Sequence, residues 1–216
     1  MTLSISTLEN TTENVSADSK NWFHSVCMSI LTFLLILFLG ASIIPLDNDI
    51  KTKFVFFVAI CGATTFLYFQ FPRVLNVQRM SLLTTVSAIL AGATLPALSL
   101  LAPVNTKYLE NFTSLTFSQQ AAYVVFAWAL FPVAEEIYFR GLLFPVTAGR
   151  MGYSAGAILS VLLFVLYHMR TSGLAGLAVQ GAIYTWLRYR NNSVSPSMLA
   201  HSVHNCSLLL IANLRS

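Results

Sequence analysis

Charge is what this chain has least of. Asp, Glu, Lys and Arg make up 9% of its 216 residues, against about 25% in ordinary soluble domains. That scarcity argues against a solvated globular surface. It also argues against nucleic acid as a partner, because the net charge of +4 forms no basic stripe. Cysteine is scarce as well: Cys27, Cys61 and Cys206 lie scattered in apolar segments. Without paired spacing they make neither a disulfide framework nor a thiolate metal centre, and they read as small packing residues. Cys206 adjoins polar residues and is the one thiol worth weighing as a nucleophile, although apolar surroundings disfavour thiolate. No Gly-rich phosphate loop and no internal repeat is visible.

What is abundant is hydrophobic sequence, at 56% of residues. An apolar run of about 20 residues spans a bilayer core of about 30 Å as a helix. Seven such segments are expected, near 24–45, 54–71, 80–103, 120–147, 154–170, 173–189 and 196–214. The expected fold is therefore all-α: a polytopic transmembrane helical bundle of about seven spans, with six to eight allowed by the soft boundaries. Residues 1–22 are rich in Ser, Thr and Asn and read as a polar, mobile tail. Residues 23–216 read as one transmembrane domain.

The basic residues report topology. Arg73 and Arg79 fall between the second and third spans, Arg150 between the fourth and fifth, and Arg188 and Arg190 between the sixth and seventh. These alternate connections share one side. The other side holds the balanced "DNDIKTK" stretch, Lys107 with Glu110, and a lone Arg170. The positive-inside rule then puts the amino terminus in the cytoplasm.

Against this background three apolar helices carry residues a membrane should reject. The first is "AEEIYFR", residues 134–140. Its three charges could cost roughly 8–10 kcal/mol together if unpaired. Glu136 and Arg140 are i,i+4 neighbours and can pair along one helix face. Glu135 is five positions from Arg140 and points elsewhere, available to a cavity. The second is "FVLYHMR", with His168 one turn after Phe164. The third is "AHSVHNC", in which His201 and Asn205 share a face and His204 sits at its flank. Each set alone reads equally as a salt bridge, an interhelical hydrogen bond or polar packing. Together they place a carboxylate, an imidazole and amide or imidazole donors on three helices, which is the parts list for hydrolysis.

In that order the motifs Glu135-Glu136-x-x-x-Arg140, Phe164-x-x-x-His168 and His201-x-x-x-Asn205 resemble those of a known family. This is the CAAX protease and bacteriocin-processing (abortive-infection-like) family of intramembrane endopeptidases, which includes the type II CAAX prenyl proteases. "RGLLFP", following the first motif, is also similar to the family, and the resemblance covers about residues 118–214. It implies a multi-pass protein of the cell membrane, bacterial by expectation, cleaving a membrane-associated peptide or protein substrate of CAAX or leader-peptide type. It further implies Glu135 and His168 as water-activating residues and His201 and Asn205 as oxyanion donors. Glu136, Arg140, Phe164 and His204 would support them.

A divalent metal such as zinc, held by Glu135, His168 and His201, is the alternative within the family. Both schemes remain open on residue types, since Glu with two His is a common zinc ligand set. Metal-free activation is slightly favoured, because Asn205 is a poor zinc ligand and a good oxyanion donor. Two other function classes compete: a non-catalytic immunity or scaffold protein, and a proton-coupled transporter. The absence of a duplicated half weighs against the transporter.

Overall fold

The computed structural model describes residues 21–43, 49–99, 115–168 and 173–214. Among the described residues the regular structure is all helical, with no strand. Its helices are α1 (Trp22–Ile43), α2 (Asp49–Gln70), α3 (Leu82–Ser99), α4 (Phe117–Met151), α5 (Tyr153–Tyr167), α6 (Leu174–Asn191) and α7 (Ser195–Leu214). They match the seven expected segments. By length and composition α1, Lys51–Gln70 of α2, and α4 are long and apolar enough to cross a membrane; Leu82–Ala97 and α5 are apolar but shorter. Nearly all of the polar tail, the Lys107/Glu110 connection and Arg170 lie outside the described residues.

α1 packs on α2, α3 on α7, and α5 between α4 and α6. One apolar core joins α1, α2, α4 and α5 through Phe33, Ile60, Leu67, Phe139, Leu143 and Phe164. A smaller one joins α3, α6 and α7 through Ala88, Tyr184, Leu187 and Ala200. Outward faces stay apolar, with Phe38 69% and Leu166 68% exposed, as expected where lipid is the solvent. α3 and α7 approach at Gly92, where an added Cβ would run into the Ala200 carbonyl. Only a residue without a side chain fits that crossing.

α4 departs from the uniform α-helix implied by a 100° rotation per residue. It winds as π-helix over Phe126–Leu130 and again over Ile137–Leu143. Each π turn runs up to a Phe-Pro pair, Phe131-Pro132 and Phe144-Pro145. The Phe131 and Phe144 N–H groups bond five residues back, to the Phe126 and Phe139 carbonyls. Proline has no N–H and its ring clashes with the carbonyl four residues earlier; widening the preceding turn absorbs both faults. In this register Pro145 is the residue that would have bonded the Arg140 carbonyl. That carbonyl instead accepts a hydrogen bond from Nε of Arg188 at 3.1 Å, as a buried backbone acceptor requires.

Two of the Arg-bearing connections expected on one side do meet. The Asn76 carbonyl accepts from the Val194 N–H at 2.9 Å, and the Asn76 amide donates to the Asn192 carbonyl at 2.7 Å. Ser195 Oγ donates to the Gln78 carbonyl at 2.8 Å. The α2–α3 connection is thus clasped to the α6–α7 turn at one end of the bundle.

Candidate active site

Glu135 and Glu136 close the short α-helical stretch Phe131–Glu136 between the two π turns, and both are buried. Arg140 follows inside the second π turn and is fully buried. The Glu136–Arg140 pair has Nη1 to Oε1 at 3.0 Å. Arg140 spends its remaining donors on α6: Nη2 reaches the Gly181 carbonyl at 3.0 Å and Nε the Thr185 hydroxyl at 3.4 Å. Its guanidinium lies 4.3 Å from the Phe164 ring centroid. An Arg so saturated offsets much of its transfer cost, and the cation lies against a π face that attracts it.

His201 projects from α7 into the same place. Its Nδ1 lies 3.0 Å from Glu136 Oε1, the oxygen that also receives Arg140. Its Nε2 lies 3.8 Å from Glu135 Oε2. The ring stacks on Tyr184 at 4.9 Å between centroids and 28° between planes, and Phe164 meets it edge-on at 6.0 Å. Tyr184 is itself held by the Gln180 amide, which donates to its hydroxyl at 2.8 Å. An ionised carboxylate only accepts, so the Glu136 contact keeps a proton on Nδ1. Nε2, facing Glu135, is the nitrogen left for chemistry.

His168 caps α5. Its Nδ1 is 2.8 Å from the Phe164 carbonyl, and a carbonyl can only accept, so Nδ1 carries a proton. In the neutral ring Nε2 therefore presents a lone pair. The ring packs edge-on against Phe164 at 4.5 Å and Tyr167 at 5.3 Å. A straight-rod picture of spans four and five separates Glu135 and His168 in depth by on the order of 10 Å. The structure instead ends α5 at Tyr167 and sets its last turn against the site, with Tyr167 in reach of Glu135 and Phe164 against His201.

Asn205 follows His201 by one turn on α7 and is half-buried. His204 faces the other way: it is buried, and its ring reaches the Gly92 backbone on α3. Cys206 is half-buried, as are Cys27 and Cys61.

Sequence reasoning missed three contacts. Glu136 serves His201 as well as Arg140, Tyr184 forms the floor beneath His201, and Tyr167 stands beside Glu135. The polar run Gln180, Gly181, Tyr184, Thr185 and Arg188, at helical spacing along α6, was a readable sign that this helix also lines the site.

Zinc would require three protein ligands at about 2.0–2.2 Å around one point. Among the described residues no three His, Cys, Asp or Glu side chains are so grouped. No step below passes through a metal ion.

Residues 117–207 match the family model described as type II CAAX prenyl endopeptidase, Rce1-like. No curated protein and no solved structure matches the chain. The matched stretch begins at the first residue of α4 and ends within α7, so it contains all three motifs and leaves out α1–α3.

Proposed function

We propose that the chain, whose residues 117–207 match the type II CAAX prenyl endopeptidase (Rce1-like) family model, hydrolyses a peptide bond of a membrane-associated substrate with water activated by Glu135 and His168. The observation that carries this reading is the convergence of three helices on one buried point. Glu135 of α4 faces His201 Nε2 of α7 at 3.8 Å, while the last turn of α5 brings Tyr167 within reach of Glu135 and Phe164 against the His201 ring.

The chemistry follows from those positions. Glu135 accepts a proton from a water that also donates to the His168 Nε2 lone pair. The resulting hydroxide attacks the scissile carbonyl. The developing oxyanion is stabilised by His201 Nε2–H and the Asn205 amide. Donation from Nε2 needs a proton on both ring nitrogens, and Glu136, 3.0 Å from Nδ1, fixes the orientation of the ring. Glu135 then returns its proton to the departing amine nitrogen, so water is consumed and an acid and an amine result. Apolar walls from Phe164 and Tyr184 hold bulk water away from His201, which strengthens each electrostatic contact.

The substrate class we assign is a prenylated carboxyl-terminal CAAX segment, with a peptide leader as the second class, approached from the side that the positive-inside rule assigns to the cytoplasm. The test is cleavage of a prenylated CAAX peptide by purified protein in phospholipid vesicles. Glu135→Gln keeps size but removes the base. Cleavage by the parent protein and a rate loss of about 10²–10⁴-fold in the variant support the reading. A variant as active as the parent overturns it. Stoichiometric zinc whose removal stops cleavage and whose return restores it overturns the metal-free route. A parent protein that leaves the CAAX peptide intact but cuts a leader peptide overturns the first substrate class.

A further inference from the structure

Tyr167 sits one residue before His168, at one of the unspecified positions of the second motif. Its hydroxyl oxygen is buried and makes no hydrogen bond in this structure. The ring is gripped on several sides. Phe33 of α1 lies 5.4 Å away, Phe56 of α2 5.9 Å and Phe139 of α4 5.5 Å, centroid to centroid. A tyrosine so enclosed cannot swing its hydroxyl out to water. A buried hydroxyl without a partner is costly, and tyrosines in cores almost always find one. The carboxylate within interaction reach is that of Glu135. Hydrogen bonds at active sites are often loose before substrate binds and tighten in the complex.

We infer that Tyr167 is a positioning residue for Glu135, its hydroxyl donating to one carboxylate oxygen so that the other faces the attacking water. Glu135 needs such a partner. Glu136 is fixed by Arg140 and His201, each at 3.0 Å, whereas the contact of Glu135 with His201 is long, at 3.8 Å. A carboxylate left with two loose oxygens samples several rotamers, and only one presents its lone pair to water. The aromatic grip thus has a functional consequence: α1 and α2, which contribute no residue to the motifs, set the place of the Tyr167 hydroxyl through Phe33 and Phe56.

The inference rests on Glu135 being the base, and the experiment separates the two. Tyr167→Phe removes the hydroxyl and keeps the ring packing. In the vesicle assay, kcat per folded molecule is expected to fall about ten- to a hundred-fold with KM unchanged, as misplacement of a reacting group predicts. Thermal unfolding in detergent is expected to stay near that of the parent. Undiminished kcat in Tyr167→Phe, with Glu135→Gln inactive, overturns the positioning role and leaves the base assignment standing. A fall in cleavage that tracks only the loss of folded protein also overturns it. Full activity in Glu135→Gln removes the base assignment and this inference together.

Discussion

α1 and α4 meet the same bilayer, yet they have opposite interiors. α1 turns Leu35 and Phe38 outward, at 57% and 69% exposure, and packs inward through Val26 and Phe33. Its polar side chains mostly bond their own helix, as Thr32 does to the Met28 carbonyl at 2.8 Å. Ser29 links it to α4, its hydroxyl 3.0 Å from that of Tyr138. α4 turns Val125, Leu130 and Val133 outward but hides Glu135, Glu136 and Arg140 within. Lipid rewards neither helix for associating through apolar contact, since its tails are as apolar as leucine. What differs is how the inner face is matched. α1 is held by shape and can lose a methyl group at small cost. α4 is held by partnered charges, and losing one partner strands the other.

The largest effect expected is on chemistry. Glu135→Gln should lower cleavage by about 10²–10⁴-fold while the folded fraction in detergent stays close to that of the parent. A matching loss of folded protein would place Glu135 with the purely structural charges and blur the contrast between the helices. Next comes Glu136→Ala. It strands the Arg140 cation and frees His201 Nδ1 in one step. Breaking a buried pair costs about 3–5 kcal/mol, and chemical or thermal unfolding should register it. Because His201 loses its orientation, the surviving folded protein should also be slow, a double defect that Glu135→Gln lacks.

A third, smaller effect should come from the close crossing of α3 and α7. Gly92→Ala places a methyl group against the Ala200 carbonyl. Overpacking of this kind costs about 1–3 kcal/mol, visible as a lower midpoint of unfolding. Ala200 adjoins His201, so kcat should fall too. Unchanged stability and rate would mean that α7 has slack and that its register is not set by α3. The smallest effect is Leu35→Ala on the outer face of α1. A substitution this exposed should change stability by less than about 0.5 kcal/mol and leave cleavage alone. A substantial loss there would show that this face is covered by something other than lipid.

Much of the bundle was legible in the sequence. Helix positions follow from runs of apolar residues long enough for a bilayer, and lipid admits only closed backbone structure. The Glu136–Arg140 pair was legible from spacing, because four residues is one turn of the same helix. The π turns were not anticipated, although Phe131-Pro132 and Phe144-Pro145 mark where the α-helical ladder must break. His204 was ambiguous because a histidine three residues from His201 can face either way; its contact with the Gly92 backbone depends on which helix stands behind it.

By itself the sequence determined that this is a helical membrane protein, that Glu135, Glu136, Arg140, His168, His201, His204 and Asn205 are polar residues set in apolar segments, and that Glu136 can partner Arg140. These are properties of composition and of spacing within one helix, where geometry is fixed by 3.6 residues per turn. Only the tertiary structure decided that Glu136 holds His201 as well, that Tyr184 forms a floor beneath that ring, and that the buried Tyr167 hydroxyl stands beside Glu135. Each of these joins residues of different helices. Their meeting depends on the crossing at Gly92, the widened turns before the α4 prolines and the early end of α5. Backbone rotation within a single helix carries no information about which face of a distant helix will be packed against it.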